Sequence, residues 1–150
     1  MITVRNILVA TDFSDSARAA LAHGQALAHA FHATLHVLHV VTEPLNEPWS
    51  GFVPAASFME TVEHLRSEAR QRLEKLVRDG SKAIVATAWG DAADEILKYA
   101  EVHRIDVIVC GTHGRRGWDR LLMGSVAERI VRLAASPVWT IHAPGVGAAA

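Results

Sequence analysis

The chain has a single cysteine, Cys110, in 150 residues. No intrachain disulfide can form, and such sparse cysteine usage suits a reducing compartment. Long hydrophobic runs are missing too: none approaches the roughly 20 residues of a membrane-spanning helix. An excess of one charge is also absent, since 15 basic side chains stand against 16 acidic ones. No overall field therefore favours nucleic acid or an anionic membrane. The opening residues, Met1-Ile2-Thr3-Val4-Arg5-Asn6, lead directly into a strand pattern and lack the charged-then-apolar layout of a secretory signal. The expectation is a cytoplasmic protein with neither a membrane nor a nucleic-acid partner. Internal repeats and an interdomain linker are lacking as well. Half of the residues are hydrophobic, enough for one domain, 1–150, with a sizeable core.

What is present alternates between strand and helix signals. Ile7 to Ala10 is a continuous apolar run, as a strand covered on both faces should be. It ends at Thr11-Asp12-Phe13-Ser14, where Ser14 is placed to cap an alanine-rich helix running to about Phe31. Thr34 to Val41 is a second strand. An irregular stretch with three prolines, Pro44 to Pro54, follows, and loops of that length are mobile or functional. Ser57 and Glu60 form a capping box for a helix whose apolar positions run from Phe58 to Leu76 until Gly80 stops it. Lys82 to Ala88 is the third strand, and Gly90-Asp91 opens a helix that turns Ile96, Leu97 and Ala100 inward. Ile105 to Cys110 is the fourth strand, Ser125 to about Ala134 the fourth helix, and Val138 to His142 the fifth strand. Ala143 to Ala150 reads as a frayed tail. This alternation predicts an α/β fold with helices on both faces of an open, five-stranded parallel sheet. Right-handed crossovers with one reversal give the strand order 3-2-1-4-5, a Rossmann-like arrangement. Strands one and four are then neighbours whose chains depart toward opposite faces, and a ligand crevice opens beyond their carboxyl ends. Asp12 and Gly111 stand at those two ends.

Between the fourth strand and the fourth helix lies a glycine-bearing loop from Gly111 to Ser125. It is neither a Walker A loop nor Gly-x-Gly-x-x-Gly. Its spacing is Gly111, two residues, Gly114, nine residues, Gly124-Ser125. A loop of this kind feeding a helix N-terminus can hold an anion with backbone N–H groups and the helix dipole. Gly114, Gly124 and Ser125 would offer amides to a polyphosphate, and Ser125 a hydroxyl as well. A plainer reading has Ser125 capping its own helix with Glu128. Asp12 could accept hydrogen bonds from ribose hydroxyls, or merely tighten the turn before Ser14. Arg115, Arg116 and Arg120 could neutralise phosphate, or simply be solvated. His113 lacks any orienting partner in the sequence, and nothing nominates a base to activate water.

The glycine spacing, the segment Ile7-Leu8-Val9-Ala10-Thr11-Asp12-Phe13-Ser14 and Ser136-Pro137-Val138 together resemble the universal stress protein family. The loop resembles its ATP-binding branch, with the adenine-nucleotide alpha-hydrolase-like fold. The resemblance implies that Ala10, Thr11 and Asp12 flank adenine and ribose, and that the backbone of Val40 hydrogen-bonds adenine. It places Cys110 and Gly111 beside the nucleoside, and Gly114, Gly124, Ser125 and Val126 at the phosphates, to which the loop charge of Arg115 is added as a binding candidate. ATP, with Mg²⁺ carried on its phosphates, is the implied cofactor. The resemblance also implies a homodimer paired antiparallel along Val138–His142, and a stress-response role read by an unnamed protein partner. Slow ATP hydrolysis or autophosphorylation in the same pocket is the enzymatic alternative. A nucleotide-free dimeric interaction module is the other. A phosphoacceptor response regulator is excluded, because Trp89 and His142 stand near the places its Asp and Lys would occupy. Nine histidines raise the question of a metal. His36 and His39 point to opposite faces of one strand, and His29 with His32 has no further ligand at metal spacing. No resident metal is expected.

Overall fold

The computed structural model of the chain describes residues 3–42, 55–77, 82–112 and 123–142. Among the described residues nine elements alternate between strand and helix: β1 (Asn6–Ala10), α1 (Asp15–Phe31), β2 (Thr34–Val41), α2 (Ala55–Leu76), β3 (Ala83–Trp89), α3 (Ala92–Val102), β4 (Val107–Gly111), α4 (Ser125–Leu133) and β5 (Val138–Ile141). The strands form one sheet in the order β3-β2-β1-β4-β5, and every pairing is parallel. The expected architecture and order are what the chain adopts.

Two apolar layers explain why the central strands read as unbroken hydrophobic runs. Leu8, Ala10, Leu38, Val40, Ile108 and Cys110 face α3 and α4, meeting Ala93, Ile96, Ala127 and Ile130. Ile7, Val9, Leu35, Val37 and Val109 point the other way, against Ala20, Leu21 and Ala28 of α1 and Leu73 of α2. Successive side chains on a strand alternate between faces, so a two-sided layer makes every position apolar. Ile7, Leu8 and Val9 accordingly have no exposed surface. His36 and His39 obey the same alternation. His36 bonds Tyr99 of α3 at 3.0 Å, while His39 lies against Phe13, whose ring Arg72 of α2 covers.

Helix ends follow local chemistry in most places. Ser14 caps α1, its hydroxyl accepting the Ala17 N–H at 3.3 Å. His32 ends the helix in the left-handed region at φ 52° rather than extending the His29 face. Asp91 caps α3 by accepting the Asp94 N–H at 3.0 Å. That backbone bond chiefly, aided by Arg129 of α4 at 2.8 Å, holds the Asp91 carboxyl below its usual range against the opposing effect of burial.

Several boundaries differ from those expected: β1 begins at Asn6 rather than Ile7, and β3 runs Ala83–Trp89 rather than Lys82–Ala88. α2 begins at Ala55, not at Ser57, so the Ser57/Glu60 pair is no capping box. Ser57 lies inside the helix, where its carbonyl accepts the Thr61 hydroxyl at 2.9 Å. β4 begins at Val107 rather than Ile105. The Asp106 carboxylate is engaged instead by the N–H groups of Arg5 and Asn6, at 2.7 and 2.9 Å. β5 ends at Ile141, one residue before His142. Gly80, Pro44–Pro54 and the tail 143–150 lie outside the described residues. Among the described residues, no helix is long and apolar enough to cross a membrane.

Candidate functional site

β1 feeds α1 on one face of the sheet and β4 feeds α4 on the other, so their C-terminal ends part. A cleft of about 1250 Å³ opens there. Ala10, Thr11, Asp12, Val40, Cys110, Gly111, Gly124, Ser125 and Val126 all line it. The register explains the convergence of residues a hundred positions apart: Ala10 stands opposite Leu38 on one side and Cys110 on the other. Gly114 and Arg115 lie outside the described residues, as do His113, Arg116 and Arg120.

The N-terminus of α4 forms one wall. Gly124, not Ser125, is its N-cap, and among the described residues no side chain caps the turn. The capping-box reading of Ser125 and Glu128 is thereby overturned: Ser125 is the first helical residue. The Gly124 N–H is itself engaged, donating to the Thr112 carbonyl at 2.7 Å. The first intrahelical bond runs from Glu128 N–H to Gly124 O at 2.9 Å. Ser125, Val126 and Ala127 therefore carry the first-turn amides that helix geometry leaves without an intrahelical acceptor. These amides and the dipole behind them suit an anion.

Gly111 has a different reason to be glycine from the one its loop suggests. A Cβ there would come within 2.5 Å of Ser16 Oγ and 2.9 Å of the Ser16 carbonyl carbon. Bare backbone at this position lets the end of β4 lie against the first turn of α1. Cys110 beside it is buried, which pushes its thiol up to about 11. The group is thus a neutral wall of the cleft at pH 7, not a nucleophile.

The turn after β1 forms the opposite wall. Asp12 Oδ1 accepts the Ser14 N–H at 2.9 Å, so Asp12 does tighten this turn. A carboxylate has about four acceptor sites, of which this turn bond uses one. Thr11 Oγ1 accepts the Phe13 N–H at 3.1 Å. Between these bonds Phe13 sits at φ 65°, a conformation that costs a bulky residue roughly 1–3 kcal/mol. The contacts of its ring stabilise it there: His39 at 4.6 Å and the Arg72 guanidinium at 4.0 Å from the ring centre. Phe13, His39, Arg72 and Lys75 all line the cleft, and nothing in the sequence alone assigns any of the four to it. The only available signal was phase: Arg72 lies one turn beyond Ala69, on the border of the buried stripe of α2.

A doubly wound parallel sheet with a ligand-sized crevice at its switch point defines an α/β protein of the Rossmann-like kind. Within that class the assignment narrows further. The model described as the universal stress protein family matches residues 3–142, and the chain belongs to that family. It is 33% identical over 144 residues to universal stress protein MJ0531 of Methanocaldococcus jannaschii, covering 93% of this chain and 83% of that protein. The solved structure of MJ0577, also of M. jannaschii, superposes with a TM-score of 0.82 at 28% identity, covering 96% of this chain and 99% of the other. A universal stress protein solved in complex with cAMP has the same fold, with a TM-score of 0.65 at 21% identity over 95% of this chain and 100% of that one.

Proposed function

We propose that this protein is an ATP-binding regulator of the stress response that works in the cytoplasm as a homodimer. The observation that carries the reading is the meeting of the α4 N-terminus, whose N-cap Gly124 offers no side-chain cap, with the Asp12 turn across one cleft. Ala10, Val40 and Cys110 would enclose the adenine, with the Val40 backbone as its hydrogen-bond partner. Thr11, Asp12 and Gly111 would meet the ribose. Ser125 and Val126, with Gly114 and Arg115, would hold the phosphates, on which Mg²⁺ arrives, while Gly124, whose own N–H is bound to Thr112, would let them approach by lacking a side chain. The volume suffices, since small-molecule pockets usually span about 300–1,000 Å³. A relative of the same fold solved with cAMP supports an adenine nucleotide here. Binding would act by population shift, favouring a surface that a protein partner reads.

Calorimetric titration with Mg-ATP tests the site. The wild-type chain should bind, and Gly124→Arg should weaken binding about tenfold or more, or 1.4 kcal/mol. Gly124 has φ −61° and ψ 149°, which any residue adopts, so the variant should fold. Undiminished affinity in the variant, or no binding by the wild type, refutes the reading.

The dimer draws support from β5, an edge strand whose Trp139 is 45% exposed beside a half-exposed Phe31. Edges of this kind call for a partner or protection. Sedimentation showing only monomer at tens of micromolar would remove it.

A further inference from the structure

The turn from Thr11 to Ser14 is gripped by two side chains that the nucleotide reading leaves unused. His39 Nδ1 lies 2.8 Å from the Thr11 carbonyl. A carbonyl only accepts, so this nitrogen carries the proton and donates. The His39 ring also packs on Phe13 at 4.6 Å, and the Arg72 guanidinium sits 4.0 Å from the Phe13 ring centre. Elements β1, β2 and α2 thus converge on one turn whose middle residue is held at φ 65°. Without its ring contacts, Phe13 would relax toward negative φ. The two residues on either side of it, Asp12 and Ser14, are joined by the 2.9 Å turn bond. Relaxing Phe13 therefore moves the Asp12 carboxylate.

We propose that Arg72 and His39 are positioning residues that aim Asp12 at the ribose and make the cleft selective for ribonucleotides over their deoxy forms. The inference rests on the reading of the cleft as an adenine-nucleotide site. A carboxylate–hydroxyl bond is short and directional, so a small swing of the turn abolishes it. The phosphate contacts come from α4, on the far side of the cleft, and survive that swing. Loss of the clamp should therefore appear as lost selectivity, not as lost binding.

The test compares the affinities of ATP, 2′-deoxy-ATP and 3′-deoxy-ATP for the full chain and three variants. Wild type should prefer ATP over at least one deoxy form by about tenfold, the weight of one hydrogen bond to a charged acceptor. Arg72→Met and His39→Leu should reduce that preference to about twofold or less by weakening ATP alone. Arg72→Lys should retain it, because an ammonium can also sit over the ring. Equal weakening of ATP and both deoxy forms in Arg72→Met would overturn the proposal, showing that Arg72 acts on the triphosphate directly. So would a wild type indifferent to the ribose hydroxyls. A wild type that binds none of the three overturns the nucleotide reading itself, and this inference with it.

Discussion

Gly24→Ala separates two physical effects of opposite sign. Gly24 lies in the middle of α1, where alanine should stabilise an exposed helix by about 1 kcal/mol. In this chain, however, a Cβ at Gly24 would lie 2.2 Å from Val9 Cγ2 and 3.6 Å from Leu35 Cδ1. Ordinary carbon–carbon contact is about 3.5–4.0 Å, so something must move by roughly 1.3 Å or more. Val9 cannot yield easily: it is fully buried on the central strand, in register with Val37 and Val109 on either side. Its branched side chain also has few rotamers to choose from. Overpacking of this kind costs about 1–3 kcal/mol, and a contact this short belongs at the upper end. After the helix-propensity gain, the net loss should be about 2 kcal/mol. For a chain of this length that lowers the melting temperature by roughly 4–8 °C. Urea unfolding of the wild type, Gly24→Ala, Val9→Ala and the double variant measures it. Removing the Val9 methyls makes room for the new Cβ, so the double variant should lose less than the two single losses added, by about 1 kcal/mol. A Gly24→Ala protein more stable than wild type would refute the close packing of α1 on β1.

Two further outcomes follow from other parts of the molecule. Asp106→Ala strips the acceptor from the Arg5 and Asn6 N–H groups and should cost about 1–3 kcal/mol in urea unfolding. Asp106→Asn should recover part of that, and an unchanged midpoint in both would show that the clamp is idle. His36 carries a pH signature. Burial chiefly, and the nearby His103 secondarily, lower its pKa, so below about pH 6.5 the unfolded chain takes up a proton that the folded chain resists. Stability should be full above that pH and decline as pH falls through the lowered folded value, then level off. His36→Gln should flatten this segment of the profile measured between pH 5 and 7.5; an identical slope in the variant would contradict the assignment.

Some of the architecture was legible because it is written locally. Continuous runs such as Ile7–Ala10 announce strands buried on both faces, and Ser14 and Asp91 announce helix starts because a cap needs only its own next three residues. Alternation plus the handedness of crossovers then yields the strand order, and with it the switch point where Asp12 and Gly111 meet. Ser57 and Ser125 show the limit of the same logic. Each begins a Ser-x-x-Glu pattern, yet α2 starts two residues before Ser57, and α4 starts with Gly124 as its cap. Asp106 reads as part of an apolar strand, but its partners are about a hundred residues away.

The sequence by itself determined the layers, the strand order and the two chain segments that border the crevice, because each depends on period, composition or chirality within a short window. Only the tertiary structure decided why Gly111 must lack a side chain, which amide of the glycine loop is already taken, and that His39 and Arg72 grip the Asp12 turn. Those are questions of distance between residues far apart in the chain, and a distance through space leaves no periodic trace along it.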